Sequence, residues 1–550
     1  MRTALVTVAA LCTLALPAVA PVHAAQPTGR YLVVFDEPQA ARSSAAVSAV
    51  LARTGVVRAG RGVPELRIAT VRGSRAALRR LRRDRAVESV SVEWARDLRR
   101  TPNDPALTAP EVVFPDGVPA GTPIQWALAR EGFPAAWDVT TGDGALVGVL
   151  DTGVDGGHPE LAVKIASADA VATADPLSDP DGHGTHVAGL ACAATDNGLG
   201  VAGAGWGCRL AIVKFTPTPF DVIRDEDIVD GIRVATERGA QAINMSFGGG
   251  ATNAALREAI EFAVSRGVVL VAAASNDDTA EQGAPAVELQ PGNGSVLDAG
   301  RGLVVTAAEF DDTRAGTGFG EQISLAAYGF FDEGPLGPPG LVSTYPGNPT
   351  PREGITPLEG CGCRRELGGD TRYGYLAGTS MAAPQVTALA ALVADLNPFL
   401  TLRDKLTLIK ASARGGGTWS PELGWGIIDA GAAVEAARRL DRRPPASRLR
   451  ARRRVRLRPG ARRAPVRLRW VGSDPGGGPQ LIPSRLARYD LYVRRGAGRA
   501  RRLLTDTRRR SALPRLRPGV YRFYTRAQDR AGNVELAPPR ADARVVVLRR

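Results

Sequence analysis

Three short stretches carry residues able to move a proton and to form a bond to carbon. Asp151 ends the apolar run Val149-Leu150 and precedes Thr152-Gly153. His183 sits in Asp181-Gly182-His183-Gly184-Thr185-His186, and Ser380 in Gly378-Thr379-Ser380-Met381-Ala382-Ala383-Pro384. A serine hydroxyl attacks poorly until a base takes its proton, and the chain has only four histidines, at positions 23, 158, 183 and 186. His183, the first histidine of its stretch, is the candidate base. Asp151 would hold its ring in the right tautomer and stabilise the imidazolium that forms. The apolar run 386–396 reads as a buried helix with Pro384 in its first turn, where no backbone N–H is spent. Ser380 is then at a helix N-terminus, and its backbone N–H can donate to an oxyanion. An acid, a base and a nucleophile together have the chemistry for acyl transfer.

The three stretches closely resemble those of the subtilisin-like serine peptidases, the subtilases. The resemblance implies a doubly wound, mainly parallel α/β fold and cleavage of peptide bonds through an acyl-enzyme on Ser380. It also implies a structural role for His186 and a second oxyanion donor in the side-chain amide of Asn276. Ser246, Phe247 and Gly248 match the edge segment that pairs with an extended substrate, and Ala273, Ala274 and Ser275 frame the first specificity pocket. Phe247 reads equally well as core. Asp277, one residue past Asn276, is placed to draw a basic side chain to the pocket rim. The chain departs from the family at Ser275, usually glycine, at Gln385, usually histidine, and at Tyr328, usually proline. Residues 345–372 look like an inserted loop beside the site. Glu160 and Asn197 fall where some relatives hold structural calcium, but a hard cation takes more oxygens than two, so ordinary loops are expected there. No catalytic metal and no redox or organic cofactor is expected.

Elements must position these groups. Runs at 145–150, 210–214, 242–246, 268–272 and 303–307 are almost continuously apolar, as parallel strands covered on both faces are. Helical stretches 228–238 and 252–266 lie between them, and alternating strands and helices predict a doubly wound α/β sheet with its site beyond the carboxyl ends of the strands. Asp151 and Asn276 follow directly on predicted strands, and His183 starts a helix. Before this domain, strands at 31–35, 66–71 and 87–93 with helices at 40–54 and 74–83 describe a small α+β unit, similar to inhibitory subtilase propeptides. After it, strands at 466–471, 488–493, 519–527 and 544–548 suggest an all-β sandwich resembling fibronectin-III-like modules.

The expected organisation is a signal peptide over 1–25, a propeptide over 26–100 and a peptidase domain over 101–440. An Arg/Pro-rich linker over 441–465 and the β module over 466–550 complete it. Residues 101–125, rich in Pro, Gly and Asp, suit a cleavable segment. The basic start, the apolar stretch and Val22-His23-Ala24 suit export with cleavage near Ala24 or Ala25, leaving no membrane anchor. In an exported chain Cys192, Cys208, Cys361 and Cys363 fit two disulfides, with Cys192–Cys208 preferred because both flank one glycine-rich loop. The net charge of +14 divides into +1 from Arg2, +9 over 26–100, −21 over 101–440 and +25 over 441–550, where lysine is absent. Opposite signs favour docking of propeptide on peptidase. The basic tail suits an anionic cell-wall polymer, and equally a codon bias in a chain that uses arginine almost to the exclusion of lysine; without interleaved aromatics it does not point to nucleic acid. The functional expectation is a secreted, self-processed, monomeric serine endopeptidase acting on proteins or peptides. The competing reading is a catalytically weak scaffold that binds a surface through its tail.

Overall fold

The computed structural model describes residues 26–36, 44–60, 62–63, 66–95, 101–113, 118–171, 174–215, 222–331, 340–354, 363–474 and 484–549. The signal stretch, the bonds 96–100 and Cys361 lie outside the described residues. Two compact units divide at Arg99 and Arg100.

In the first unit, Gln26–Phe35 is paired antiparallel with both Ile68–Arg72 and Val87–Ala95, and Val57–Arg58 extends the sheet. Helices Ser44–Thr54 and Arg75–Leu81 accompany it. Alternation along the first strand puts Val33 and Phe35 on one face, where Val50, Val71 and Leu81 bury them. Ser74 caps the second helix through its hydroxyl.

The second unit is built on seven parallel strands: β1 Leu146–Asp151, β2 Ile165–Ala170, β3 Arg209–Lys214, β4 Ala242–Met245, β5 Val269–Ala273, β6 Leu303–Ala308 and β7 Leu325–Tyr328. Their order, β7-β6-β5-β4-β1-β3-β2, reverses direction at β1. Both faces are covered. Val147 and Val149 of β1 pack with helices α1 His183–Cys192 and α4 Thr379–Leu396. Leu150 faces the other way, toward α2 Asp225–Glu237 and α3 Ala254–Val264. Sequence periodicity missed β2, which is only half-buried, and β7, a short edge strand. Cys192 and Cys208 form a disulfide.

Three expectations need correction. Pro384 is the sixth residue of α4, not part of its first turn. Its missing N–H leaves the Ser380 carbonyl without a helical donor, and Ser246 Oγ supplies one at 2.9 Å. Residues 101–125 are no loose linker: Ala106 N donates to Gly200 O, and Gln125 exchanges two hydrogen bonds with Ala202 at 2.7 and 2.8 Å. The stretch 441–465 contains strand β8 Ala446–Ala451, which pairs with β9 Leu468–Ser473. Alternation there is hidden because arginines occupy the outward positions and the inward ones hold only Ser447, Leu449 and Ala451. Beyond β8, strands β10 Leu486–Arg495, β11 Gly519–Asp529 and β12 Ala543–Leu548 form the middle of a second sheet. The two sheets bury Leu449, Trp470, Leu491, Phe523 and Val545.

Behind the sheet edge sits a buried acid. Tyr328 N donates to Glu131 Oε1 at 2.9 Å, and Gln385 Nε2 donates to Tyr328 O at 2.7 Å. Glu131 Oε2 and Gln385 Oε1 are both buried without a partner. Burial pushes the Glu131 carboxyl up to about 8. The folded state therefore holds a proton between the unfolded value near 4.5 and about 8, so stability falls as pH rises through that window. At ~1.4 kcal/mol per unit the ceiling is roughly 5 kcal/mol. Glu131→Gln, which cannot ionise, is expected to lose less of its melting temperature between pH 5 and pH 9 than wild type does. Equal losses would show that Glu131 is already ionised at pH 5.

Candidate active site

The groups singled out from the sequence lie on or just beyond five different elements and meet in one cleft of about 740 Å³. Asp151 is the last residue of β1, His183 the first of α1 and Ser380 the second of α4. Asn276 is three residues beyond β5, and Ser246 follows β4. All sit at carboxyl strand ends or at helix starts on that side of the sheet, next to the strand-order reversal.

Asp151 Oδ1 lies 2.7 Å from His183 Nδ1 and also accepts from Thr152 N at 2.8 Å. With Asp151 only 3% exposed, this contact keeps the proton of a neutral imidazole on Nδ1 and leaves Nε2 as the acceptor. A carboxylate network holds the base from behind. Buried Asp179 accepts from Thr152 Oγ1, Gly182 N and Thr185 N, so the strand end and the helix start share one anchor. Gly184 has no room for a side chain, because a β-carbon there would collide with the Gly153 carbonyl. Asp181 accepts from His183 N at 3.2 Å and pairs with Arg352 at 2.5 Å. Arg352 lies in the turn Pro351–Gly354 and lines the cleft. It is thus held beside the base, an arrangement invisible in sequence because its partner is 171 residues away.

His186 is buried. Its Nε2 donates to the carbonyls of Leu341 and Gly374 at 3.0 and 3.1 Å, and burial pushes its pKa down to about 3. It stays neutral and ties α1 to strands Leu341–Thr344 and Tyr373–Leu376.

Ser380 Oγ donates to Ser246 O at 3.1 Å, so the hydroxyl rests on the β4 edge. The Asn276 amide is oriented by Thr379: Thr379 N donates to Asn276 Oδ1 at 3.0 Å, and Thr379 Oγ1 is 2.8 Å from the same oxygen and from Ala274 O. With Oδ1 held inward, Nδ2 is the end left to donate into the cleft. Gly378 adopts φ +138°, and a β-carbon on it would press against this amide at 3.2 Å.

Ser246, Phe247, Gly248, Ala273, Ala274 and Ser275 all line the cleft. The Phe247 ring is half-buried and packs edge-on against Phe215 at 4.9 Å, so it serves core and cleft wall together. Ser275, in place of glycine, uses its hydroxyl to accept from Asp277 N at 3.0 Å, which braces the turn after Asn276. Asp277 and Glu281 also line the cleft, both exposed.

Glu160 Oε1 accepts from Tyr373 OH and Val201 N, while Asn197 Oδ1 accepts from Leu199 N. Only Glu160 Oε2 is spare, against the roughly six to eight oxygens calcium takes. These two residues do not fit that ion. Among the described residues, Asp441, Asp474 and Asp529 bring carboxylate oxygens within 4.8 Å of one another, in the C-terminal part and away from the cleft.

Residues 142–426 match the subtilase family, peptidase S8. Thermitase of Thermoactinomyces vulgaris is 28% identical over 297 residues, 54% of this chain and 86% of that protein. Subtilisin Savinase of Lederbergia lenta is 31% identical over 280 residues, 50% of this chain and 86% of that protein. An extracellular protease of Xanthomonas campestris pv. campestris is 29% identical over 468 residues, 75% of this chain and 73% of that protein. A protease of Pseudoalteromonas arctica with a solved structure is 29% identical, with a TM-score of 0.48 over 62% of this chain and all of that one. The family match covers the strand ends that carry Asp151 and Asn276 and the helix starts that carry His183 and Ser380, and the chain belongs to the subtilase family of serine endopeptidases.

Proposed function

We propose that this serine protease works through Asp151, His183 and Ser380 and is made as a secreted zymogen. Ser380 Oγ attacks the scissile carbonyl carbon while its proton passes to His183 Nε2. The C–N bond then breaks, and the amine leaves with that proton. Water attacks the ester, gives its proton to Nε2, and Ser380 Oγ departs with it. Asn276 Nδ2 and the Ser380 backbone N–H receive the oxyanion. The observation that carries the reading is the 2.7 Å contact of Asp151 with His183 in the cleft that also holds Ser380 and Asn276. No cofactor enters the scheme.

The unit over 26–100 is the inhibitory propeptide in this reading, and the mature enzyme acts outside the cell as a monomer. Extracellular action is supported by the name of the Xanthomonas relative and by the leader composition. The basic tail attaches the enzyme to an anionic wall polymer. The test compares wild type with Ser380→Ala by intact mass and casein hydrolysis. Wild type should lose about 10 kDa and degrade casein, and the variant should do neither. If the two behave alike and casein survives, the scaffold reading replaces this one.

The pocket beside Ser275 and Asn276 selects cationic side chains. Asp277 and Glu281 line the cleft, and among the described residues neither forms an ion pair. A charge-assisted contact with one of them favours arginine over leucine by roughly tenfold in kcat/KM. Matched peptides differing only before the cleaved bond measure this, and equal cleavage after Arg and Leu counts against it.

A further inference from the structure

Away from the cleft, the C-terminal domain carries a groove of about 590 Å³ whose walls include Arg448, Arg450, Arg453 and Arg544. Arg448 and Arg450 stand on the outward face of β8, since Leu449 between them is core. Arg544 stands outward on β12 beside buried Val545, so the walls come from both sheets. One carboxylate, Asp542, shares the groove, and its Oδ2 already accepts from Leu449 N and Thr525 N at 3.2 Å. Among the described residues no ion pair involves the four arginines.

Strand register extends this charge. Arg544 is directly opposite Arg522 on β11, which is directly opposite Arg494 on β10; Arg450 is directly opposite Arg469 on β9. Like charges facing each other across neighbouring strands destabilise a sheet. Arginine-rich composition alone would scatter such residues. Here the row Arg494, Arg522, Arg544 runs into the groove, and an anionic ligand would remove its repulsion.

We propose that this groove binds a linear polyanion with repeating phosphates and no bases. The inference rests on the tail reading above, not on the protease chemistry. Arginines from two sheets line the groove, and a tetrahedral phosphate offers oxygens to both walls, whereas a planar carboxylate suits one fork. No aromatic ring lines the groove, so unpaired bases would find no stacking platform.

The test uses the full chain carrying Ser380→Ala, so that proteolysis does not interfere, with fluorescent long-chain inorganic polyphosphate as probe. Binding is expected, with log affinity falling linearly against log salt. Arg450→Gln/Arg453→Gln/Arg544→Gln together should weaken it by about thirtyfold or more and lower the salt slope by about three. Arg508→Gln/Arg509→Gln/Arg515→Gln, an equal change of charge at exposed sites outside the groove, should cost far less. Equal loss in both triple variants means binding by net charge alone and overturns the proposal. Poly-L-glutamate or oligo-dT binding as tightly as polyphosphate overturns it as well, and neither comparison depends on a variant folding. A chain that binds polyphosphate yet leaves casein intact as wild type would sink the protease reading alone.

Discussion

Ser380→Ala is expected to lower kcat by about 10⁶ on a peptide substrate, the loss measured when subtilisin is stripped of its serine or histidine. The reason is visible in the way the site is assembled. Asp151 holds His183 by its Nδ1, which leaves Nε2 as the acceptor; in the proposed scheme that base has nothing to activate once Oγ is gone. His183→Ala should therefore fall by the same factor, and the double variant should fall no further. Asp151→Asn should cost less, about 10⁴, since the ring then takes the wrong tautomer but both reacting groups remain. The fold should survive: Ser380 Oγ makes one hydrogen bond, to Ser246 O, worth about 1 kcal/mol. The bond from Ser246 Oγ to the Ser380 carbonyl is untouched by the change. Single-turnover and steady-state rates on one preparation, with its melting curve, check all of this. A Ser380→Ala variant within about tenfold of wild type would mean that another group attacks.

Residues that must be particular atoms in particular places were legible in the sequence, and those that depend on distant partners were not. Asp151, His183 and Ser380 each sit in a local motif whose glycines and small residues shape the turn around them, so type and flanking pattern were enough to mark three residues that the fold brings into one cleft. The central strands β1, β3, β4, β5 and β6 announced themselves because both faces are buried and the runs are apolar throughout. Pro384 misled, because a proline normally opens a helix, and the donor that excuses it here, Ser246, is 134 residues away. Arg352 carried no local signal; only the fold brings it to Asp181. Strand β8 hid among arginines, where a composition-based reading finds a linker. Phe247 stayed ambiguous in sequence for a physical reason, since its ring does pack on Phe215 while its edge borders the cleft.

The second large effect belongs to Asn276. Asn276→Leu is expected to reduce kcat by about 10²–10³ with little change in KM, the size seen when subtilisin loses the corresponding donor. A ground-state carbonyl gains little from Nδ2, whereas the oxyanion that forms on attack gains a charge-assisted hydrogen bond. Asn276→Asp should be worse than leucine, because it puts a carboxylate where negative charge develops. The amide donates only if it is held the right way round, and that task falls to Thr379, whose backbone N–H and hydroxyl both meet Oδ1. Thr379→Val keeps the N–H and loses the hydroxyl, so a loss of roughly tenfold in kcat is expected, the worth of one hydrogen bond of about 1.4 kcal/mol. Thr379→Ser should recover most of it. If Thr379→Val raises KM and leaves kcat alone, the threonine packs the wall without orienting the donor. If Asn276→Leu leaves kcat within a few-fold of wild type, the oxyanion is held by backbone N–H groups at the start of α4, and Asn276 is the polar turn residue that its neighbours Asp277 and Asp278 would otherwise suggest.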